Sequence, residues 1–125
     1  MTYLTRDQVA ARSRRARVDF ESPVLGGTLC LQELGRWDWR VATKAAEIPG
    51  EAGRIYIDLW HIGIFTRGVV DPATGEPLFT QDDLLTWRNS NALWAEVARI
   101  ADAILSLSEV GPDSLKSGDP PADGG

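Results

Sequence analysis

The most regular hydrophobic pattern in the chain lies towards its C-terminal end. Leu93, Val97, Ile100, Ile104 and Leu107 recur at steps of four, three, four and three, and Trp94, Ala98, Ala101 and Leu105 widen the same face. That spacing matches an α-helical turn. It predicts a helix with one broad apolar side, leaving Glu96, Arg99, Asp102 and Ser106 turned away. Such a helix draws its stability from whatever covers the stripe, so the rest of the chain must supply a cover. With 125 residues there is room for one domain, which buries about two-thirds of the surface exposed when unfolded. A composition of 43% hydrophobic and 25% charged residues belongs to a globular chain, neither disordered throughout nor membrane-spanning.

The covering elements can be read in order. Thr5 with Gln8 three residues on has capping-box spacing, and Asp7 suits the first turn, so a short helix starts here. Its apolar face is thin (Val9, Ala10, Ala16), and Arg12, Arg14, Arg15 and Arg17 crowd its end. Val18 and Phe20 then alternate with Asp19 and Glu21 until Ser22-Pro23, and Gly26-Gly27 permits a turn. Alternation resumes over 28–34, with Leu29 and Leu31 on one side and Thr28, Cys30 and Gln32 on the other, which completes a β-hairpin.

Trp37, Val41, Ala45 and Ile48 predict a helix closed by Pro49-Gly50. Residues 54–68 fit a strand by the alternation of Ile55, Ile57 and Leu59. They also fit a helix, with Ile55, Leu59, Ile62 and Phe65 on one side and Arg54, Asp58 and His61 on another. The length of the run favours the helix. Asp71-Pro-Ala-Thr-Gly75 is a turn, with Val69-Val70 and Pro77-Leu78-Phe79 able to form a small hairpin about it. Thr80 and Asp83 then cap a short helix carrying Leu84, Leu85 and Trp87. The expected fold class is therefore α+β and mainly α-helical. It comprises an N-terminal helix, a β-hairpin, then about four helices with a short turn or mini-hairpin at 69–79. Residues 1–110 read as a single compact domain, with 1–17 as its basic helix. The Gly-, Pro-, Ser- and Asp-rich residues 111–125 read as a disordered acidic tail.

Catalytic signatures are sparse. One Cys (Cys30) excludes an intrachain disulfide, and one His (His61) excludes a multi-histidine metal site. Asp71, Glu76, Asp82 and Asp83 lack the alternation of a calcium loop, and turn and cap roles account for Asp71 and Asp83. Gly26-Gly27 lacks the Lys-Ser/Thr pair and the following helix of a phosphate loop. No catalytic, cofactor-binding or metal-binding residue is expected, and no cofactor. The net charge of −5 is uneven. Residues 1–17 hold five Arg and one Asp (+4), residues 18–107 seven basic and thirteen acidic groups (−6), and residues 108–125 one Lys and four acidic groups (−3). So acidic a chain, with no recognition helix, argues against a nucleic-acid partner.

Partner contacts are assigned instead to Arg12, Arg14 and Arg15 and to three tryptophans, Trp39, Trp60 and Trp87, that lie off the main stripes. For the tryptophans a second core face is an equal alternative. Trp37 and Trp94 lie on the stripes and read as core. The N-terminal stretch has no apolar signal-peptide region, and the longest apolar run is broken by Asp58, His61 and Arg67. The expectation is a cytoplasmic protein without a membrane partner.

The order of these motifs resembles the tail assembly chaperones of long-tailed bacteriophages and prophages. In that family a glycine turn leads into a strand ending in Glu-Leu, here Gly26, Gly27, Glu33 and Leu34. A helix then runs into an aspartate–glycine–phenylalanine turn, here Asp71, Gly75, Leu78 and Phe79. An acidic-leucine helix follows, matched by Asp82, Asp83 and Leu85. The last helix is matched by Ser90, Leu93, Ile104, Leu107 and Ser108. The likeness spans roughly residues 1–115. The Trp-rich middle and the Pro-rich end depart from the family pattern.

The resemblance implies a non-enzymatic role. Such a protein binds the long, mostly helical tape measure protein, helps bring the major tail tube protein to it, and is absent from the mature virion. Self-association is left open. Two alternatives stand beside it: another phage or prophage structural or connector protein of the tail, and a small nucleic-acid-binding regulator that uses the N-terminal arginines.

Overall fold

The stripe of residues 93–107 finds its cover in a helix that is itself wrapped on several sides. The computed structural model describes residues 2–12 and 14–108. In chain order its elements are α1 (Arg6–Arg12), β1 (Arg17–Ser22), β2 (Gly27–Gln32), α2 (Arg36–Ala45), α3 (Ile57–Gly68), β3 (Val69–Val70), α4 (Gln81–Leu85) and α5 (Asn91–Ser108). The chain is α+β and mainly helical, with the expected hairpin followed by four helices. The tail expected over 111–125 lies outside the described residues.

Helix α5 carries the stripe, and Val97, Ile100, Ala101, Ile104 and Leu105 are all buried. Ser90 starts it, its Oγ accepting the Leu93 N–H at 3.3 Å. Ser108 ends it: its Oγ donates to the Ile104 carbonyl at 2.7 Å and accepts the Leu34 N–H at 2.6 Å. That pair ties the end of α5 to the segment following β2. The reading of α5 needs one correction. Glu96, expected on the outward face, is only 4% exposed.

Helix α3 packs against α2, α4, α5 and β3. Trp60, Ile62, Ile64, Phe65 and Gly68 are buried, so burial runs around most of the cylinder. This explains why residues 54–68 read ambiguously: a helix covered on several sides has little polar face to reveal its period. Helix begins only at Ile57. Ile55 instead forms an isolated antiparallel bridge with Glu47, and the Tyr56 N–H donates to the Ala46 carbonyl at 2.8 Å. That link returns the chain beside the end of α2.

The buried face of α2 is also not the expected one. Ala42, with Ala46 just after the helix, is buried, whereas Trp37 is 70% exposed. Helix contact there depends on small side chains. A methyl group added at Gly63 of α3 would lie 3.0 Å from the Ala42 Cβ, so the two backbones approach closely. A tryptophan cannot occupy such a seam, and the large residues rotate out of it.

The sheet has the order β1-β2-β3 and is antiparallel throughout. The hairpin pairs Arg17 with Gln32 and Ser22 with Gly27, around a turn in which Gly26 takes φ +80°. Val69-Val70 do more than start a mini-hairpin. They form a third strand, pairing with Leu31 and Cys30. The mini-hairpin is present as a Val70–Pro77 bridge and a Leu78 N–H to Val69 carbonyl bond. Asp71 accepts the Ala73 N–H at 2.8 Å in the turn between them. Helix α4 begins with the expected capping box, Thr80 and Asp83 bonding reciprocally at 2.8 and 3.2 Å.

Candidate functional site

The arginine-rich segment splits into an anchored root and a free arm. At the root, the Ala16 N–H donates to Glu33 Oε1 at 2.7 Å and the Glu33 N–H donates to the Ala16 carbonyl at 2.9 Å. Arg15 pairs with Asp38 at 2.6 Å, and the same carboxylate pairs with Arg67 at 3.2 Å. Arg17 donates to Gln32 Oε1 and to the Pro72 carbonyl, each at 3.0 Å. Arg15, expected at a partner surface, thus holds the root of the arm to α2. Beyond it α1 has the expected cap, with Thr5 and Gln8 bonded reciprocally at 2.9 and 3.2 Å, and no buried residue. Arg12 and Arg14 are exposed, as the expectation requires.

The three candidate tryptophans lie mostly inside. Trp60 is a core residue at 8% exposure, its Nε1 donating to Thr43 Oγ1 at 3.0 Å. Thr43 in turn donates to the Trp39 carbonyl at 2.9 Å. Trp39 is half-buried against the core, and its indole N–H is buried with no acceptor among the described residues. Trp87 joins Phe65 and Phe79 in an aromatic cluster with centroids 5.5–6.0 Å apart. The off-stripe assignment to a free surface is corrected for Trp60, a core residue; Trp39 and Trp87 are half-buried, packing on a second side of the core. Trp94 is half-buried on the core, and Trp37 is the tryptophan left outside.

Other large apolar groups share that exposure. Tyr56 and Ile57 open α3 and are about half exposed. With Ile55, Asp58 and Leu59 they line an open cleft of about 490 Å³. The strand reading of 54–68 counts Ile57 among its apolar positions, and the helical reading places it on neither of its two named sides. No local signal marks it as exposed, because it lies in the turn that enters the helix, before the cover provided by α2 and α5.

The carboxylate nearest to pairing with His61 is Asp102 of α5, 3.9 Å from Nε2. Asp58, on the same helix as His61, is solvent-exposed. Among the described residues no group of three His, Cys, Asp or Glu is placed to hold a metal ion. Cys30 is a free, half-buried thiol in β2. The strongest polar arrangement is structural. Glu96 accepts hydrogen bonds from Ser22 Oγ at 2.6 Å and from two Arg99 nitrogens at 2.8 Å. The Arg99 guanidinium lies 4.7 Å from the centre of the Phe20 ring.

The bonds from Arg99 hold the Glu96 carboxyl below its ordinary range; burial opposes this and Ser22 adds to it. Glu96 therefore stays ionised at neutral pH and clamps the end of β1 to α5. A carboxylate held this way is poorly suited to donating a proton. Glu47 is lowered too, first by the Gly53 backbone N–H and then by Lys44, in an exposed turn.

Among the described residues no helix is long and apolar enough to cross a membrane. No protein-family model matches the chain, and no curated protein or solved structure matches it either.

Proposed function

We propose that this chain is a non-enzymatic assembly factor of the tail assembly chaperone kind, acting in the cytoplasm of a bacterial host. It would bind the tape measure protein and help recruit the major tail tube protein. The observation that carries the reading is the exposure of Tyr56 and Ile57 at the mouth of an apolar cleft, in a domain that buries four of its seven isoleucines, Ile62, Ile64, Ile100 and Ile104. A long helical protein waiting for its partners exposes apolar stripes that favour aggregation. A cleft edged by aromatic and β-branched side chains can cover such a stripe reversibly, in the helix-in-groove manner. The chain order of hairpin, helices, turn and long last helix agrees with the motif order on which the resemblance rests. Two of the four clustered arginines, Arg15 and Arg17, are engaged within the fold, which weakens the nucleic-acid alternative.

Coexpression with a tape measure protein is the test. The expected result is a soluble complex, loss of that solubility with Ile57→Asp, and absence of the chain from purified virions. A tape measure protein equally soluble with and without the chain would refute the reading. Retention in virions would favour a connector instead.

A further inference from the structure

Helix α2 turns its largest apolar residue and its free cations to the same outer side. Its inner side is fully used. Ala42 meets Gly63 of α3, Trp39 packs on the core, and Asp38 is tied to Arg15 and Arg67. The helical repeat places two parallel strips on the opposite side, each with a step of four: Arg36 with Arg40, and Trp37 with Val41. Arg36, Trp37 and Arg40 are exposed and Val41 is half-buried.

None of the three exposed groups is used inside the fold. Among the described residues the side chains of Arg36 and Arg40 form no ion pair or hydrogen bond, and the Trp37 ring meets no aromatic or cationic neighbour. Arg36 opens the helix, where the dipole disfavours a cation. Trp37, at 70% exposure, forgoes the burial that a tryptophan ordinarily gains. Both choices cost the chain stability and return nothing within it. Trp and Arg are also the residues that most often anchor protein interfaces.

The charge of the face selects its complement. The chain as a whole carries −5, yet the outer side of α2 is positive. Asp38 is the one carboxylate of α2 and is already occupied by two arginines. Lys44 continues the basic strip but is paired with Glu47 at 3.3 Å, so it adds no free charge. The complement is therefore acidic where it meets Arg36 and Arg40 and apolar where it meets Trp37. Strips of this spacing are the ridges against which a second helix packs.

We propose that the outer side of α2 binds an acidic amphipathic helix of another protein. The apolar stripe of that helix covers Trp37 and Val41, and a flanking row of Glu or Asp at i, i+4 meets Arg36 and Arg40, which stand about 6 Å apart along the axis. Two free cations are a short footprint for a phosphate backbone, whose binding grows with the number of charges neutralised. The face is distinct from the cleft at residues 55–59, and the inference does not depend on the function proposed above.

Titration of the full chain with a synthetic helix of about 18 residues, about five turns, tests this. The peptide carries a Leu stripe flanked by Glu, and a control peptide carries Lys in place of Glu. The readout is the indole N–H signal of Trp37 in a nitrogen-edited NMR spectrum, assigned by its loss in Trp37→Phe. The Glu peptide should shift that signal, and the binding should weaken as salt rises from about 0.1 to about 1 M. Trp37→Ala, and Arg36→Glu with Arg40→Glu, should each weaken binding more than about tenfold, the former followed by the peptide's own signals. The charge-reversed variant should bind the Lys peptide instead. All three positions are exposed and unpaired, so folding is preserved, with far-UV circular dichroism as the check. Ile57→Asp, which tests the cleft, should leave peptide binding unchanged.

Several results would overturn the proposal. One is no shift of Trp37 with the Glu peptide at about 1 mM. Others are equal binding of the Glu and Lys peptides, or binding that the α2 variants leave intact and Ile57→Asp removes. Tighter binding of a single-stranded oligonucleotide at Trp37 would assign the face to nucleic acid. A Trp37 signal that moves with the concentration of the chain alone would assign it to a second copy.

Discussion

The packing of α3 on α5 turns on one missing methyl group, and Gly68→Ala restores it. A Cβ at Gly68 would lie 2.5 Å from Ile104 Cδ1, 2.6 Å from Cγ2 and 2.9 Å from Cγ1. Ile104 has no exposed surface, and a β-branched side chain in a helix has one strongly preferred χ1. It cannot swing aside, so the helices must separate or Ile104 must leave its rotamer. Overpacking of this kind costs about 1–3 kcal/mol. The better helix propensity of alanine offsets up to about 1 kcal/mol of that, since Gly68 is the last helical residue. The net expectation is a loss of about 1–2 kcal/mol, large beside a total stability of about 5–15 kcal/mol.

Ile104→Ala removes all three colliding atoms and alone should cost about 2–5 kcal/mol by opening a cavity. With the collision gone, Gly68→Ala added to Ile104→Ala should be neutral or stabilising. The double mutant would then show a coupling of about 1–3 kcal/mol. Urea unfolding followed by tryptophan fluorescence gives the four free energies. Additive effects, or a Gly68→Ala variant as stable as the parent, would refute the close-approach argument.

Two further outcomes follow from the same coordinates. The Glu96 carboxyl is held below its ordinary value, so the stability it contributes is full above the unfolded glutamate pKa of about 4.3 and is lost as pH falls through the lower folded value. Glu96→Gln removes that dependence, and the gap in urea midpoint between parent and variant should narrow from pH 6 to pH 3; a constant gap would contradict the clamp. Trp60→Ala should cost about 3–5 kcal/mol as a core truncation that also strips the partner from Thr43. Trp37→Ala should stay within about 0.5 kcal/mol, and the opposite ranking in unfolding experiments would put Trp37 back in the core.

Features set by neighbours in the chain were legible in the sequence. The capping pairs Thr5–Gln8 and Thr80–Asp83, the Asp71 turn with Gly75 at φ +77° and the Gly26 hairpin turn all depend on residues within four positions. So does the α5 stripe, whose four-three spacing needs only one partner surface of sufficient size. Features decided by what packs against what were not legible. The seam between α2 and α3 selects Ala42 and Gly63 because small residues let the backbones approach, whereas a hydrophobicity pattern ranks Trp37 and Val41 first. Glu96 looked like an outward residue because its partner Ser22 lies 74 positions away, at the end of β1.

The same distinction explains why the candidate surface was harder to read than the fold. A protein-binding face consists of the apolar side chains that folding leaves uncovered, and residue type does not record which those are. Ile57 and Ile62 are the same residue in the same helix, yet Ile57 is half exposed and Ile62 is 2% exposed. Position separates them. Ile62 lies in the core cluster within α3, a helix that packs on α2 and α5, and Ile57 sits more than a turn earlier, where the chain is still entering from the Glu47–Ile55 bridge. The tryptophans invert for the same reason: Trp60, three residues after Ile57, is under cover and Trp37 is not. Arg15 and Arg12 differ likewise, since Asp38 lies within reach of the first. A sequence therefore names the residue types available for recognition, and the tertiary seams decide which of them reach the partner.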